Sequence, residues 1–483
     1  MNRIEMSRLI KSKILLSLGI LVLQVSVFAD EPEATMSCSD FGKVFAYFQD
    51  QHLRFFIEPQ TDRAKLASDA LKRMPEELAT LGFHFLSPQF EKYMLPKLSG
   101  LSIVGKESTD QLCEILANSL YRGVFLKSYA RLLDPYSDFY LTEELDTKSS
   151  VVDGEFVGVG IATDPVQDFL EVSHVVEDGP AAGKILLGDK IYRVDGHPVK
   201  GLSEVEIRQR IRGLKGTKVI FGLKRKEADL DVEIIRDKVT QRSVTAEMTD
   251  NRFLMLKVHR FYRQTSFEVE SAIRQAGPRL RGLILDLRNN PGGLLQAARD
   301  LVDLFISSGV VVYLRGRDVD EQIWAMTEGG YVNMPLVVLV NEGTASAAEI
   351  VAGALQDYGR ALVIGHPTYG KGSVQNIYET QSALSTSYRG GFKLTTLFYY
   401  LPSGRNVASL KPDILSSAAE KSELEHPQMP YKGPSKIDVA QLPKQQGWQA
   451  HNRVEFATAD QGAEEIGKFL ILKMMAERKT ASP

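Results

Sequence analysis

Hydrophobic positions along this chain change their period twice. From about residue 38 to 135 the apolar residues recur at helical spacing, as in Phe41, Val44, Phe45 and Phe48, or Leu112, Ile115, Leu116, Leu120 and Val124; this is the stripe of amphipathic helices. Asp134-Pro135 is expected to end the last of them, because a residue before proline is pushed away from helical backbone. After Gly154 the pattern shortens to β-type runs broken by glycines: Val157 to Ala162, Leu170 to Val175, Lys190 to Val194 and Lys218 to Leu223. Beyond residue 241 apolar strands alternate with amphipathic helices. Leu283 to Leu287, a helix from near Gly293, Leu336 to Val340, a helix from about Ala345 and then Ala361 to Ile364 predict a mixed α/β layer.

These changes divide the chain into a helical N-terminal domain over 30–149, a β-rich domain over 150–240 and a mixed α/β core over 241–410, a multidomain α+β protein. Residues 411–445, rich in Pro, Ser, Lys and Gln, read as a linker or surface wrap. A C-terminal helical segment over 446–483 carries Ile466, Phe469, Leu470 and Met474 on one stripe.

At the N-terminus, Arg3, Arg8, Lys11 and Lys13 precede an apolar run from Ile14 to Phe28 and then Ala29. Residues 1–29 are expected to be an export signal cut after Ala29. The alternative is a retained membrane anchor, though the run is shorter than the roughly 20 residues that span a bilayer. The protein is expected to be exported, periplasmic, and membrane-associated if the signal is retained. Cys38 and Cys113, the two cysteines, are compatible with one disulfide in an oxidising compartment or with two buried thiols. A net charge of −3 offers no basic field for nucleic acid.

Candidate chemistry sits where strands end. Leu336 to Val340 is followed by Asn-Glu-Gly-Thr-Ala-Ser-Ala-Ala-Glu-Ile350, which puts Ser346 at a helix start, where free N–H groups favour developing negative charge. The alternative is that Ser346 only caps the helix. Lys371 lies between two glycines, and Gln375 follows four residues on; if Ser373 to Tyr378 is a strand, positions two and four apart share a face. A lysine acts as a general base only when neutral. Moving its pKa from about 10.4 toward 7 costs roughly 4 to 5 kcal/mol, which burial can supply. A third strand ends in Asn289-Asn-Pro-Gly-Gly293, a turn able to present backbone N–H groups.

Together these segments resemble the C-terminal processing, or tail-specific, peptidases, serine peptidases of the S41 family with an inserted PDZ domain. The resemblance covers most of the chain after the signal. It implies that Ser346 in Gly343-Thr-Ala-Ser-Ala is the nucleophile, Lys371, 25 residues later, the base, and Gln375 its orienting partner. It assigns the oxyanion donors to the N–H groups of Gly292 and Ala347. Gly154-Glu-Phe-Val-Gly-Val-Gly-Ile161 is similar to the carboxylate-binding loop of PDZ domains, so Gly158, Val159, Gly160 and Ile161 are the expected receivers of a substrate C-terminus. The resemblance further implies an endopeptidase without cofactor or metal, acting through an acyl-enzyme on protein or peptide substrates with apolar C-termini. It leaves a homo-oligomer or an adaptor protein open as a further partner, and makes Arg212 a candidate contact between PDZ and active site. Where family members often carry Asp-Pro-His-Ser, this chain has Asp134-Pro-Tyr-Ser137.

Three competing readings remain. Gly365-x-x-x-x-Gly370-Lys371 approaches a phosphate-binding loop, but Gly372 stands where Ser or Thr would hold magnesium and a strand pattern follows, so no nucleotide partner is expected. His366 would be the base of a Ser-His-Asp hydrolase, yet the Gly-x-Ser-x-Gly elbow is missing around Ser346. A PDZ scaffold that binds C-termini without cutting them is the non-enzymatic alternative.

Overall fold

The computed structural model describes residues 36–415 apart from 56–62, 82–89, 95, 97–105, 117–118, 143, 146–153, 167, 203–206, 208–209, 251, 317–318, 327–328 and 385–387, together with 439, 467, 468 and 471. The expected export signal, nearly all of the linker or wrap and most of the C-terminal helical segment lie outside the described residues. Among the described residues no helix is long and apolar enough to cross a membrane.

Among the described residues the helical periodicity becomes α1 (Cys38–Phe55), α2 (Arg63–Thr80), α3 (Lys106–Ile115) and α4 (Ser119–Arg131), with a π-helical turn at Phe90–Met94. Phe41, Val44, Phe45, Leu112, Leu116 and Val124 are all buried in one core. Cys38 and Cys113 are bonded, with Cα atoms 5.6 Å apart, and tie α1 to α3 across 75 residues. A loop of that length limits the unfolded chain by roughly 4 kcal/mol in the chain-entropy account. Past α4 the chain forms β1 (Asp138–Tyr140), which pairs antiparallel with β18 (Gly391–Tyr400). A boundary at 150 therefore groups with the helices a strand that belongs to the core sheet. The junction is held by buried Lys127, whose Nζ donates to Phe139 O at 3.1 Å and pairs with Glu144 at 2.9 Å.

The β-rich domain contains β2 (Glu155–Gly158), β3 (Ile161–Val166), β4 (Phe169–Val175), β5 (Lys190–Val194), β6 (His197–Pro198), β7 (Lys218–Arg225), β8 (Ala228–Ile235) and β9 (Asp237–Thr240). Its main sheet runs β3-β4-β5-β7-β8, and β2 pairs with β9 instead. The run expected from Val157 to Ala162 is thus two strands. Gly160, at φ +78, makes the turn between them, a conformation that a side chain would strain. β3 is left at a sheet edge.

In the core, β10 (Val244–Met248), β11 (Phe253–Val258), β12 (Gly282–Asp286), β15 (Leu336–Val340), β16 (Leu362–Gly365) and β19 (Ile414–Leu415) form a sheet in that order, parallel except for β10. The helices α5 (Thr265–Ala276), α6 (Leu295–Asp303) and α7 (Ala347–Asp357) follow β11, β12 and β15. Every residue of β12 and β15 is buried, which accounts for their unbroken apolar runs. Ile471 is buried in this core, and Gly467 faces Val337. A second, antiparallel sheet runs β1-β18-β13-β14, where β13 is Val310–Arg315 and β14 Asp320–Trp324, and β17 (Ser373–Glu379) pairs with β18 off this path. Strand β18 joins the parts: Phe392 and Leu394 enter the helical domain's core, while Leu397 and Tyr399 enter the main one.

Candidate active site

Ser346 stands between β15 and α7 with φ +56, a left-handed conformation that a non-glycine residue keeps only where its surroundings hold it. Two elements hold it. One is the turn after β12. Asn341 Nδ2 donates to Asn289 Oδ1 at 2.9 Å, Asn289 N–H to Asn341 Oδ1 at 2.8 Å, and Ala345 N–H to Asn290 O at 2.9 Å. Gly292 packs so closely that a Cβ placed on it would lie 2.8 Å from both Ala345 O and Ser346 Cβ.

The other is Glu349, one turn into α7 and fully buried. Its Oε2 accepts the main-chain N–H of Ser346 at 2.7 Å and of Lys371 at 2.9 Å; its Oε1 accepts Thr368 Oγ1 and Gly370 N–H, both at 2.6 Å. A single carboxylate thus holds the serine loop against the glycine-flanked lysine turn. Burial pushes Glu349 up to about 7, against the four hydrogen bonds that favour its ionised form. Glu349 was not among the residues singled out from sequence, although Ser346-x-x-Glu349 has the spacing of a capping box.

Lys371 is half-buried, with Nζ 5.2 Å from the centre of the Tyr136 ring. Burial, helped by the charges of Lys393 and Arg260 and opposed by Glu349 and Asp134, lowers its pKa to about 8. Gln375 lies on β17, beyond a register shift at Val374/Gln375, and its Nε2 donates to Ser373 Oγ at 2.9 Å and Thr395 Oγ1 at 3.2 Å. The amide is therefore oriented by hydroxyls. Thr395 Oγ1 in turn donates to Asp134 Oδ1 at 2.9 Å, which brings the helical domain's last turn into the same network.

The N–H of Ala347 opens α7 and has no backbone acceptor among the described residues. Gly292 differs from expectation. Its N–H donates to Asn290 Oδ1 at 2.9 Å, an Asx turn that satisfies the donor within its own loop, so in this state it is not presented to a ligand. Tyr399, also absent from the sequence reading, is buried beside Ser346 and hydrogen-bonds its side chain; burial pushes the phenol up to about 12, so it stays protonated. His366 faces Glu342, with Nδ1 3.9 Å from Oε1. The segment after Lys371 is a strand, which is not the helix a phosphate loop requires.

In the β-rich domain, Gly158 ends β2, Val159 and Gly160 form the turn and Ile161 opens β3. The turn is fixed through its carbonyls: Ala181 N–H donates to Val159 O at 2.9 Å and Val176 N–H to Gly160 O at 2.8 Å. Arg212 lies over the Phe156 ring, 5.9 Å from its centre, next to this loop and within the same domain.

The fold is an α/β core with a serine at a helix start, joined to a β-rich domain whose strand β3 lies at a sheet edge. The model for peptidase family S41 matches residues 252–416, and that for the PDZ domain matches 157–235. Residues 252–416 are thus a peptidase family S41 region and residues 157–235 a PDZ domain. It is 35% identical over 299 residues to the carboxy-terminal-processing protease of Bartonella bacilliformis, covering 59% of this chain and 66% of that protein. It is 33% identical over 329 residues to a "Probable CtpA-like serine protease" of Staphylococcus epidermidis, covering 66% and 63%. The matched stretch is just under two thirds of these relatives' own length. Among solved structures, the photosystem II D1 C-terminal processing protease is similar at 23% identity and a TM-score of 0.42, covering 78% of this chain and 92% of that one. The PDZ domain of the carboxy-terminal protease from Vibrio cholerae, in complex with peptide, is similar at 28% identity and a TM-score of 0.17, covering 18% and 99%.

Proposed function

We propose that this chain is an exported serine endopeptidase that receives protein C-termini on its PDZ domain and cuts with a Ser346/Lys371 dyad. The observation that carries this reading is the Glu349 carboxylate holding Ser346 and Lys371 by their main-chain N–H groups, beside a lysine depressed to about 8. A lysine in that range is neutral often enough near neutral pH to take the serine proton. Ser346 Oγ attacks the scissile carbonyl, Lys371 accepts its proton and passes it to the leaving amine, and water releases the acyl-enzyme. Gln375, its Nε2 held by Ser373 and Thr395, offers Oε1 to the lysine. The oxyanion goes to Ala347 N–H, and to Gly292 N–H once it leaves Asn290 Oδ1.

The open edge of β3 and the turn at Gly158–Ile161 suit a peptide that adds as a strand and places its carboxylate on backbone N–H groups, with Ile161 in an apolar pocket. Export is supported by the basic-then-apolar pattern before Ala29 and by the Cys38–Cys113 bridge, which needs an oxidising compartment. The test is incubation of an unstructured protein with the wild-type chain and with Ser346→Ala. Cleavage by the first alone supports the reading. Binding of C-terminal peptides without cleavage by either would make the chain a scaffold instead.

A further inference from the structure

The helical domain reaches the lysine through one turn. Asp134 Oδ1 accepts the main-chain N–H groups of Tyr136 at 2.8 Å and Ser137 at 3.0 Å, and Oδ2 accepts Ser137 Oγ, so the turn is wound round a single carboxylate. The Tyr136 ring lies against Lys371 Nζ, and its hydroxyl hydrogen-bonds Tyr369 Oη at 3.3 Å. Tyr369 N–H donates to Thr344 O in the serine loop. Tyr136 also lines a solvent-open cleft of about 290 Å³ with the charged side chains of Arg73, Arg131, Asp138 and Lys393; Lys371 does not line it.

We infer that Tyr136 is a positioning residue for Lys371, its ring forming the wall that keeps the water of this cleft away from Nζ. The inference rests on the reading of Lys371 as base. Two effects of the ring oppose each other. Its π-face favours the ammonium, by about 1.5 pH units for a desolvated contact. Its bulk keeps the amine dry, and desolvation disfavours the ammonium by up to about 3 to 5 units on full burial. Dryness wins, so opening the wall raises the lysine's pKa. The charged and titratable groups around Nζ are Glu349 on α7, Lys393 on β18, Arg260 after β11, Asp134 and Tyr369, none of which the substitution replaces.

The experiment reads Lys371 directly, without catalysis. In a full-length Ser346→Ala background, the pH dependence of Lys371 labelling by a water-soluble acylating reagent is followed by peptide mass spectrometry. Tyr136→Phe keeps the wall and should hold the midpoint within about 0.3 pH units, while Tyr136→Ala should raise it by about one unit or more. Tyr136→Ser is a second opened variant, with folding checked by circular dichroism. An unchanged midpoint in the opened variants, or a Tyr136→Phe shift as large as theirs, overturns the inference. So does loss of fold in both opened variants, which would make Tyr136 merely structural. With Ser346 restored, the acid limb of kcat/KM should move by the same amount. If the wild-type chain shows no Ser346-dependent cleavage, the functional reading fails, and the labelling midpoint still decides the role of Tyr136.

Discussion

Glu349 and Ser346 are joined by a 2.7 Å hydrogen bond in which the serine's own N–H donates to the carboxylate that also receives the N–H of Lys371. The bond couples a strained backbone to a buried charge. It makes Glu349 as exposed to mutation as the residues it holds.

Glu349→Gln replaces an acceptor of four hydrogen bonds with a group that must turn an N–H toward N–H donors. Its midpoint in denaturant should show a loss of about 2 to 4 kcal/mol, with cleavage falling at least tenfold. A variant of wild-type stability and activity would remove the tether from the mechanism.

Ser346→Ala and Lys371→Ala should each lower kcat/KM by at least about 10³-fold, because a dyad acts as a unit. Gln375→Ala should cost less, since hydroxyls and burial still surround the lysine. Full activity in Lys371→Ala would dismiss the dyad.

Activity should rise with pH through about 8, because the base works only when it has lost the proton that burial already disfavours. Below about 7, Glu349 also takes up a proton and its bonds to Ser346 and Lys371 weaken. The acid limb of log kcat/KM should therefore steepen from a slope near 1 toward about 2. A single slope down to pH 5 would separate Glu349 from the chemistry.

Gly292→Ala places a Cβ 2.8 Å from Ala345 O and Ser346 Cβ and 3.0 Å from Ala347 N, at φ +97. The serine loop must move, so cleavage should fall by about 100-fold or more, with a stability loss of about 1 to 3 kcal/mol. Thermal melts and steady-state kinetics measure both.

Amidating a substrate's C-terminus, or ending it in acidic residues, should slow its cleavage about tenfold through KM, while a change far from the tail should do little. Equal rates for free, amidated and acidic tails would take the Gly158–Ile161 loop out of substrate recognition.

What could be read along the chain was whatever depends on near neighbours. The all-apolar, β-branched run Leu336–Val340 reads as a buried strand, the small residues after it as the turn into a helix, and alternation after Gly372 marks β17. Ser346, Lys371 and Gln375 stand out because each lies at such a transition; Glu349 stood at a readable cap spacing as well. Tertiary structure decided the rest, because those contacts join residues that share no local pattern. Thr395 meets Asp134 across 261 positions, and that bond fixes the hydroxyl that takes the Gln375 amide. The Gly292 N–H turns to Asn290 because an Asx turn fills the donor before any ligand can. Asp138–Tyr140 leaves the helices for a sheet because β18 offers it an open edge. Cys38 and Cys113 bond because folding brings α1 and α3 to 5.6 Å, a separation that spacing in sequence does not encode.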